Sequence, residues 1–375
     1  MSFIPVNEPL LNGNEKKYLC ECIDTGWISS EGPFVKEFER KFSETVHRSY
    51  GIAVSNGTAA LEIAVQALEI GEGDEVILPA FTIISCAMAV TKAGAVPVLV
   101  DSDIRTWNMN ANEIEAKITP RTKAIMMVHL YGLPAEVEPI LALAKKYKLK
   151  IIEDAAEMYG QTYKGKPCGS FGDISTFSFY PNKHITTGEG GMVVTDDEQL
   201  AERCRLLRNL CFRKDFRYVH DELSGNYRFT NLQAAVGLAQ LERLDEFIQK
   251  KRQMGRTYTE RLRDIAGLML PLEQTEAAKN IYWVYGMILE KNIHADNKTM
   301  QTLLAAEGIG SRTFFWCIHE QPVYQKQGLF ADETYPNAEY LARKGFYIPS
   351  GLALTEEQIE QVITSVKKVM QKIRD

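Results

Sequence analysis

One lysine, Lys183, lies in the run Phe177-Ser-Phe-Tyr-Pro-Asn-Lys183-His-Ile-Thr-Thr-Gly-Glu-Gly-Gly191, after an apolar β-type segment and before a glycine-rich turn. That placement fixes the backbone and leaves an amine at the end of a flexible stem. An amine that condenses with an aldehyde needs such a mount, in a dry site that favours its neutral form. Upstream, Ile151-Ile-Glu-Asp154-Ala-Ala-Glu157 reads as a strand ending in acid. Ligands of open α/β sheets lie beyond the carboxyl ends of the strands, so Asp154 stands where it could keep a pyridine nitrogen protonated; it could equally cap a helix. Earlier still, Val54-Ser-Asn-Gly57-Thr58-Ala-Ala-Leu61 follows a short apolar segment and opens a helix. Free N–H groups, a partial positive charge and a glycine that admits close approach make such a start suited to phosphate, and Thr58 adds a hydroxyl. A carrier lysine, a ring-nitrogen acid and a phosphate cradle are together the parts of a pyridoxal phosphate site.

The elements that must position these residues are legible as alternating short β runs and helical patterns. Strands are expected at Glu75–Leu78, Val96–Val100, Ala124–Val128, Leu149–Ile152, Ser175–Phe179 and Gly191–Thr195. Helices are expected around Ser85–Lys92, Ala111–Lys117 and Glu136–Tyr147, the last with Val137, Ile140, Leu141 and Ala144 on one face. Alternation of this kind calls for a mostly parallel sheet covered on both sides. A long helix, roughly Asn231 to Met254, is expected to bridge a large lobe (residues 1–245) to a smaller C-terminal α/β lobe (residues 246–375). At the end of the chain Thr355 and Gln358 form a capping box before Ile359, Val362, Ile363, Val366, Val369, Met370 and Ile373 on one helical face.

Composition limits the function classes. A net charge of −6 and a pI of 5.7 argue against a nucleic-acid or anionic-membrane surface. No apolar run reaches the roughly 20 residues of a membrane span, and polar residues interrupt the first segment, so neither membrane anchor nor signal peptide is expected. Seven scattered cysteines without a Cys-x-x-Cys pair point to reduced thiols in a cytoplasmic protein and to no metal site. The sequons at Asn56 and Asn297 then have no role.

Taken in order, Trp27-Ile-Ser-Ser, Ser55-Asn-Gly-Thr58, Val128-His-Leu-Tyr-Gly132, Glu153-Asp154, Ser178-Phe-Tyr-Pro-Asn-Lys183, Thr186-Thr-Gly-Glu-Gly-Gly191 and Asn226-Tyr-Arg228-Phe-Thr-Asn231 resemble the DegT/DnrJ/EryC1/StrS family of sugar aminotransferases over nearly the whole chain. The resemblance implies an α/β fold of type I, the aspartate aminotransferase-like pyridoxal phosphate enzymes. It implies that Lys183 forms the Schiff base, that Asp154 holds the ring nitrogen, and that Gly57, Thr58 and Ser178 hold the phosphate. Asn226 would reach that phosphate from a neighbouring subunit, so a homodimer with shared sites is expected. Two positions depart from the usual pattern. Ile83 stands where many members stack an aromatic ring on the cofactor, and Glu157 stands where many carry His or Gln. Phe81 could replace the missing ring only with a shifted backbone.

The chemistry implied is transamination in two halves, with pyridoxamine phosphate as the form between them. L-Glutamate is the expected donor and a nucleotide-linked keto sugar the acceptor. Within the family the pattern resembles the branch that aminates C4 of GDP-4-keto-6-deoxy-D-mannose, with dTDP- or UDP-linked keto sugars as the alternative. Trp27, Ser30, Glu189, Arg228, Arg312 and His319 are candidate substrate contacts. Arg228 and Arg312 suit diphosphate geometry but serve equally as surface ion-pair partners, and Trp27 could instead be a buried anchor. Phe314 and Phe315 read as core. A related branch, the sugar 3-dehydratases, carries histidine at the motif lysine. Here the lysine is at 183 and the histidine follows at His184, which favours the aminotransferase. A cofactor-binding regulator on the same fold would not need both Lys183 and Asp154. A doubly wound nucleotide-binding protein would need a glycine-rich loop that is missing.

Overall fold

The computed structural model describes residues 3–213 and 215–374. The large lobe is built on seven strands: β1 (Tyr50–Val54), β2 (Glu75–Pro79), β3 (Val96–Val100), β4 (Thr122–Val128), β5 (Lys150–Asp154), β6 (Ile174–Ser178) and β7 (Gly191–Thr195). Their order across the sheet is β1-β7-β6-β5-β4-β2-β3. Only β7 runs against the others, pairing antiparallel with both β1 and β6. Each expected strand is present.

Both faces of the sheet are apolar because alternate residues of each strand feed different cores. Val76, Leu78, Met126, Val128 and Ile152 join one cluster, while Ile77, Ile125, Met127 and Ile151 join another. Helix α1 (Gly57–Ala67) covers the first face beside α2 (Ile84–Lys92), and α3 (Val137–Tyr147) covers the second through Val137, Ile140 and Ala144. Two-sided burial is what a parallel sheet requires.

The single helix expected from Asn231 to Met254 is two helices, α4 (Asn231–Leu241) and α5 (Leu244–Leu262). Arg243 leaves helical geometry at φ −115°, ψ 13°. The break separates two burial regimes. Helix α4 is buried nearly all round, through Ala234, Ala235, Gly237, Leu238, Ala239 and Leu241, whereas α5 buries one stripe. That stripe serves both lobes: Leu244, Phe247 and Ile248 pack in a large-lobe core, and Met254, Tyr258 and Leu262 in the small-lobe core.

The small lobe is an antiparallel sheet of β8 (Leu268–Met269), β9 (Tyr285–Leu289), β10 (Arg312–Thr313) and β11 (Gly345–Ile348), in the order β8-β9-β11-β10. The first described residues join it, since Ile4 pairs with Ile309 and packs in its core. Helix α6 (Glu356–Arg374) closes the lobe. Its capping box is formed: the Thr355 N–H donates to Gln358 Oε1 at 3.0 Å and the Gln358 N–H to Thr355 Oγ1 at 3.2 Å. Among the described residues no helix is long and apolar enough to cross a membrane. All seven cysteines are unpaired.

Candidate active site

The carboxyl ends of β4, β5 and β6, the start of α1 and residues of the small lobe enclose a cavity of about 720 Å³. Lys183 and Asp154 both line it, with Gly57, Thr58, Ile83, Glu157, Ser178 and Glu189. Lys183 is fixed at its backbone by a turn to the Tyr180 carbonyl (2.9 Å). Its Nζ lies 3.6 Å from Glu157 Oε1 and 3.8 Å from the centroid of the Trp283 ring. Burial holds its amine below the ordinary lysine range, against the pull of the Glu157 and Asp154 carboxyls.

Asp154 is the last residue of β5, and both of its oxygens are occupied. Oδ1 accepts the Ala156 N–H at 3.0 Å and Oδ2 the Cys86 thiol at 3.3 Å. Burial raises its carboxyl pKa over the contrary pull of those donors and of Lys183. A protonated ring nitrogen placed against it would reverse that shift and keep it charged. The neighbouring Glu153 points to the opposite face. There it accepts from His129 (3.1 Å), the Phe171 N–H (2.8 Å) and the Ser175 hydroxyl (2.9 Å). Burial would push Glu153 up, but its His129 and backbone partners outweigh it and hold the carboxylate low. Glu153 is therefore structural.

The start of α1 has the geometry that a phosphate would fit. Asn56 caps α1 by accepting the Ala59 N–H at 2.8 Å, which leaves the first N–H groups free of that cap. Gly57 approaches β6 so closely that a Cβ there would stand 2.7 Å from Ser178 Cβ. The Thr58 hydroxyl lies 2.9 Å from that of Ser85, a further polar group at the same end of the cavity. A helix N-terminus flanked by three hydroxyls and a mandatory glycine suits a phosphate dianion.

The two unusual positions have distinct settings. Ile83 precedes α2 and is 41% exposed on the cavity wall. Phe81 does not replace the missing ring; it is buried in an aromatic group with Tyr131, Phe314 and Phe315, away from the wall. Glu157 is buried and accepts the Tyr131 N–H at 2.6 Å. Burial still pushes its carboxyl up to about 8.

The remaining substrate and partner candidates lie outside this cavity. Asn226 is exposed and accepts the Arg228 N–H, while the Arg228 guanidinium donates to Asn209. Trp27 is 51% exposed rather than a buried anchor, and Ser30 is half-buried nearby. Arg312 is exposed and turns back to the Ser311 carbonyl. His319 pairs with Glu339 at 3.3 Å in the small lobe, beside Glu320, whose carboxylate meets Arg343. His184 is buried, within 3.1 Å of the Ile281 carbonyl; burial drives its pKa to about 3, so it stays neutral. Sequence reasoning missed Trp283, and it placed Phe315 in the core where the structure places it half-buried on the cavity wall.

Residues 9–367 match the model of the DegT/DnrJ/EryC1/StrS aminotransferase family. The chain is 44% identical to the GDP-perosamine synthase of Escherichia coli O157:H7, over 98% of this chain and 99% of that one. It is 44% identical to the GDP-perosamine synthase of Caulobacter vibrioides, over 98% of each chain. Among solved structures, Spr1654 of Streptococcus pneumoniae in its PLP-form superposes with a TM-score of 0.91 at 27% identity, covering 100% of this chain and 99% of that one. With its family model matched over residues 9–367 and relatives 44% identical over nearly the full length, the chain belongs to the DegT/DnrJ/EryC1/StrS family of pyridoxal phosphate-dependent sugar aminotransferases.

Proposed function

We propose that the protein transfers the amino group of L-glutamate to C4 of GDP-4-keto-6-deoxy-D-mannose, giving GDP-perosamine and 2-oxoglutarate. It would act as a cytoplasmic homodimer in which Asn226 reaches the phosphate bound by the neighbouring protomer. The observation that carries the substrate is the 44% identity, over nearly the full length of both chains, to relatives named GDP-perosamine synthase. Lys183 in the cavity carries the reaction type.

Pyridoxal phosphate, when bound, supplies an aldehyde that carries the amino group and a ring that draws electrons from the reacting carbon. Gly57, Thr58 and Ser178 bind its phosphate, and Asp154 holds the proton on its ring nitrogen. Lys183 is the base. Burial keeps enough of its amine neutral for Nζ to take the proton from the α-carbon of the donor. In the second half the same Nζ delivers a proton to C4 of the sugar. A flexible stem lets one amine serve both positions. Trp27, Ser30, Glu189, Arg228, Arg312 and His319 remain the candidates for substrate contacts from one protomer or the other.

The test is direct. The yellow enzyme is bleached with L-glutamate and then offered GDP-, dTDP- or UDP-linked 4-keto-6-deoxy sugars, with the product read by NMR. Recovery of the band with the GDP sugar and a 4-amino product is expected. Recovery only with a dTDP or UDP sugar, or a 3-amino product, would overturn the substrate assignment.

A further inference from the structure

Lys183 is met from the small lobe by an aromatic side chain no motif announces. Trp283 stands two residues before β9, a hundred positions along the chain. Its ring centroid lies 3.8 Å from Lys183 Nζ, well inside the range of a cation–π contact. Tyr131 and Phe315 stack against the indole at 5.6 and 6.2 Å, with interplanar angles of 26° and 20°.

Three separate devices hold that indole. Its Nε1–H donates at 3.0 Å to the carbonyl of Asn182, the residue before Lys183. Its backbone carbonyl accepts from Lys251 Nζ at 2.8 Å, and the same amine grips the Ser350 carbonyl. The residue before it, Tyr282, sits in the left-handed region at φ +49°, its N–H donated to Asn280 Oδ1 at 2.7 Å. Lys251 is 2% exposed, and burial lowers its amine to about 7. A lysine buried against two carbonyls is expensive, and strained backbone persists only where its surroundings over-determine it. A tryptophan that merely filled the junction of the lobes would need neither.

We propose that Trp283 is a positioning residue for Lys183, its indole face holding the amine, and its ammonium form, whenever the lysine is free of the cofactor. The chemistry explains the choice. When Nζ takes the donor's α-proton it becomes an ammonium on a side chain only 10% exposed. The ring offers it a negative face without accepting a conventional hydrogen bond, so the N–H turned away from the ring and from Glu157 stays available to give the proton back. The proposal rests on Lys183 as the base and is independent of which sugar is bound.

The experiment replaces the indole without changing its shape. Mono-, di- and trifluorotryptophan are installed at position 283, which weakens the negative face step by step. The titration midpoint of Lys183 is then read in the full-length chain freed of cofactor, by pH-dependent acetylation and peptide mass spectrometry. Glu157, Asp154 and Cys86 also bear on the amine and are unchanged through the series. A stepwise fall of about one pH unit in total is expected, the size of a desolvated cation–π contact. W283F is expected to keep part of the effect and W283L to lose it. A midpoint that stays flat across the fluorinated series, even with reduced kcat, would make Trp283 only a cavity wall and overturn the proposal.

Discussion

Replacing Glu157 by glutamine removes one ionisation and, with it, the carboxyl that faces Lys183 Nζ at 3.6 Å, and the structure sets how stability then responds to pH. The carboxyl is buried and its pKa rises from 4.5 to about 8. Below pH 4.5 it is protonated in both folded and unfolded chains and contributes nothing to the pH dependence. Between 4.5 and about 8 the unfolded chain has released a proton that the folded chain keeps, so wild-type stability falls as pH rises. At about 1.4 kcal/mol per unit, the window amounts to a ceiling of roughly 5 kcal/mol. Above pH 8 both states are ionised and the loss is complete. E157Q, which retains an acceptor for the Tyr131 N–H, escapes that loss. Thermal melting of the two cofactor-free chains from pH 5 to 9 is the assay. The variant gains on the wild type with each step in pH and levels off near 8. A difference that does not vary with pH would refute the assignment of a protonated Glu157.

Three further outcomes follow from the same geometry. Gly57→Ala drives a Cβ against Ser178, and an overpacking cost of roughly 1–3 kcal/mol should weaken cofactor binding about 5- to 150-fold, read by equilibrium dialysis. Ile83→Phe restores a ring at the cavity wall and should tighten cofactor binding by about 0.5–1.5 kcal/mol, measured as a slower loss of the visible band on dilution. His184→Gln disturbs the buried contact with Ile281, so melting should report a loss of roughly 1–3 kcal/mol while kcat is largely kept.

The parts of the site at strand ends were legible because local pattern alone places them. A strand followed by Asp154, a helix opened at Gly57 and a lysine before a glycine turn each declare their position within about ten residues. Residues brought in by tertiary packing were not. Trp283 reaches Lys183 from the other lobe, and its spacing in the chain carries no trace of that contact. Phe315 read as core for the same reason: an aromatic run does not say which ring faces a cavity. The break between α4 and α5 was hidden because apolar positions continue through it within one core, from Leu238 and Leu241 to Leu244 and Phe247, and the change of lobe comes only further along α5, at Met254. The substrate candidates at Trp27, Arg228 and Arg312 were drawn from residue type, which says what a side chain could bind but not where it points.

Reduction of the yellow enzyme with borohydride, followed by peptide mass spectrometry, tests the central claim most directly. The account predicts a pyridoxyl adduct on the peptide containing Lys183. An adduct on Lys251, the other lysine among the described residues whose amine burial lowers, or on no lysine at all, would contradict it.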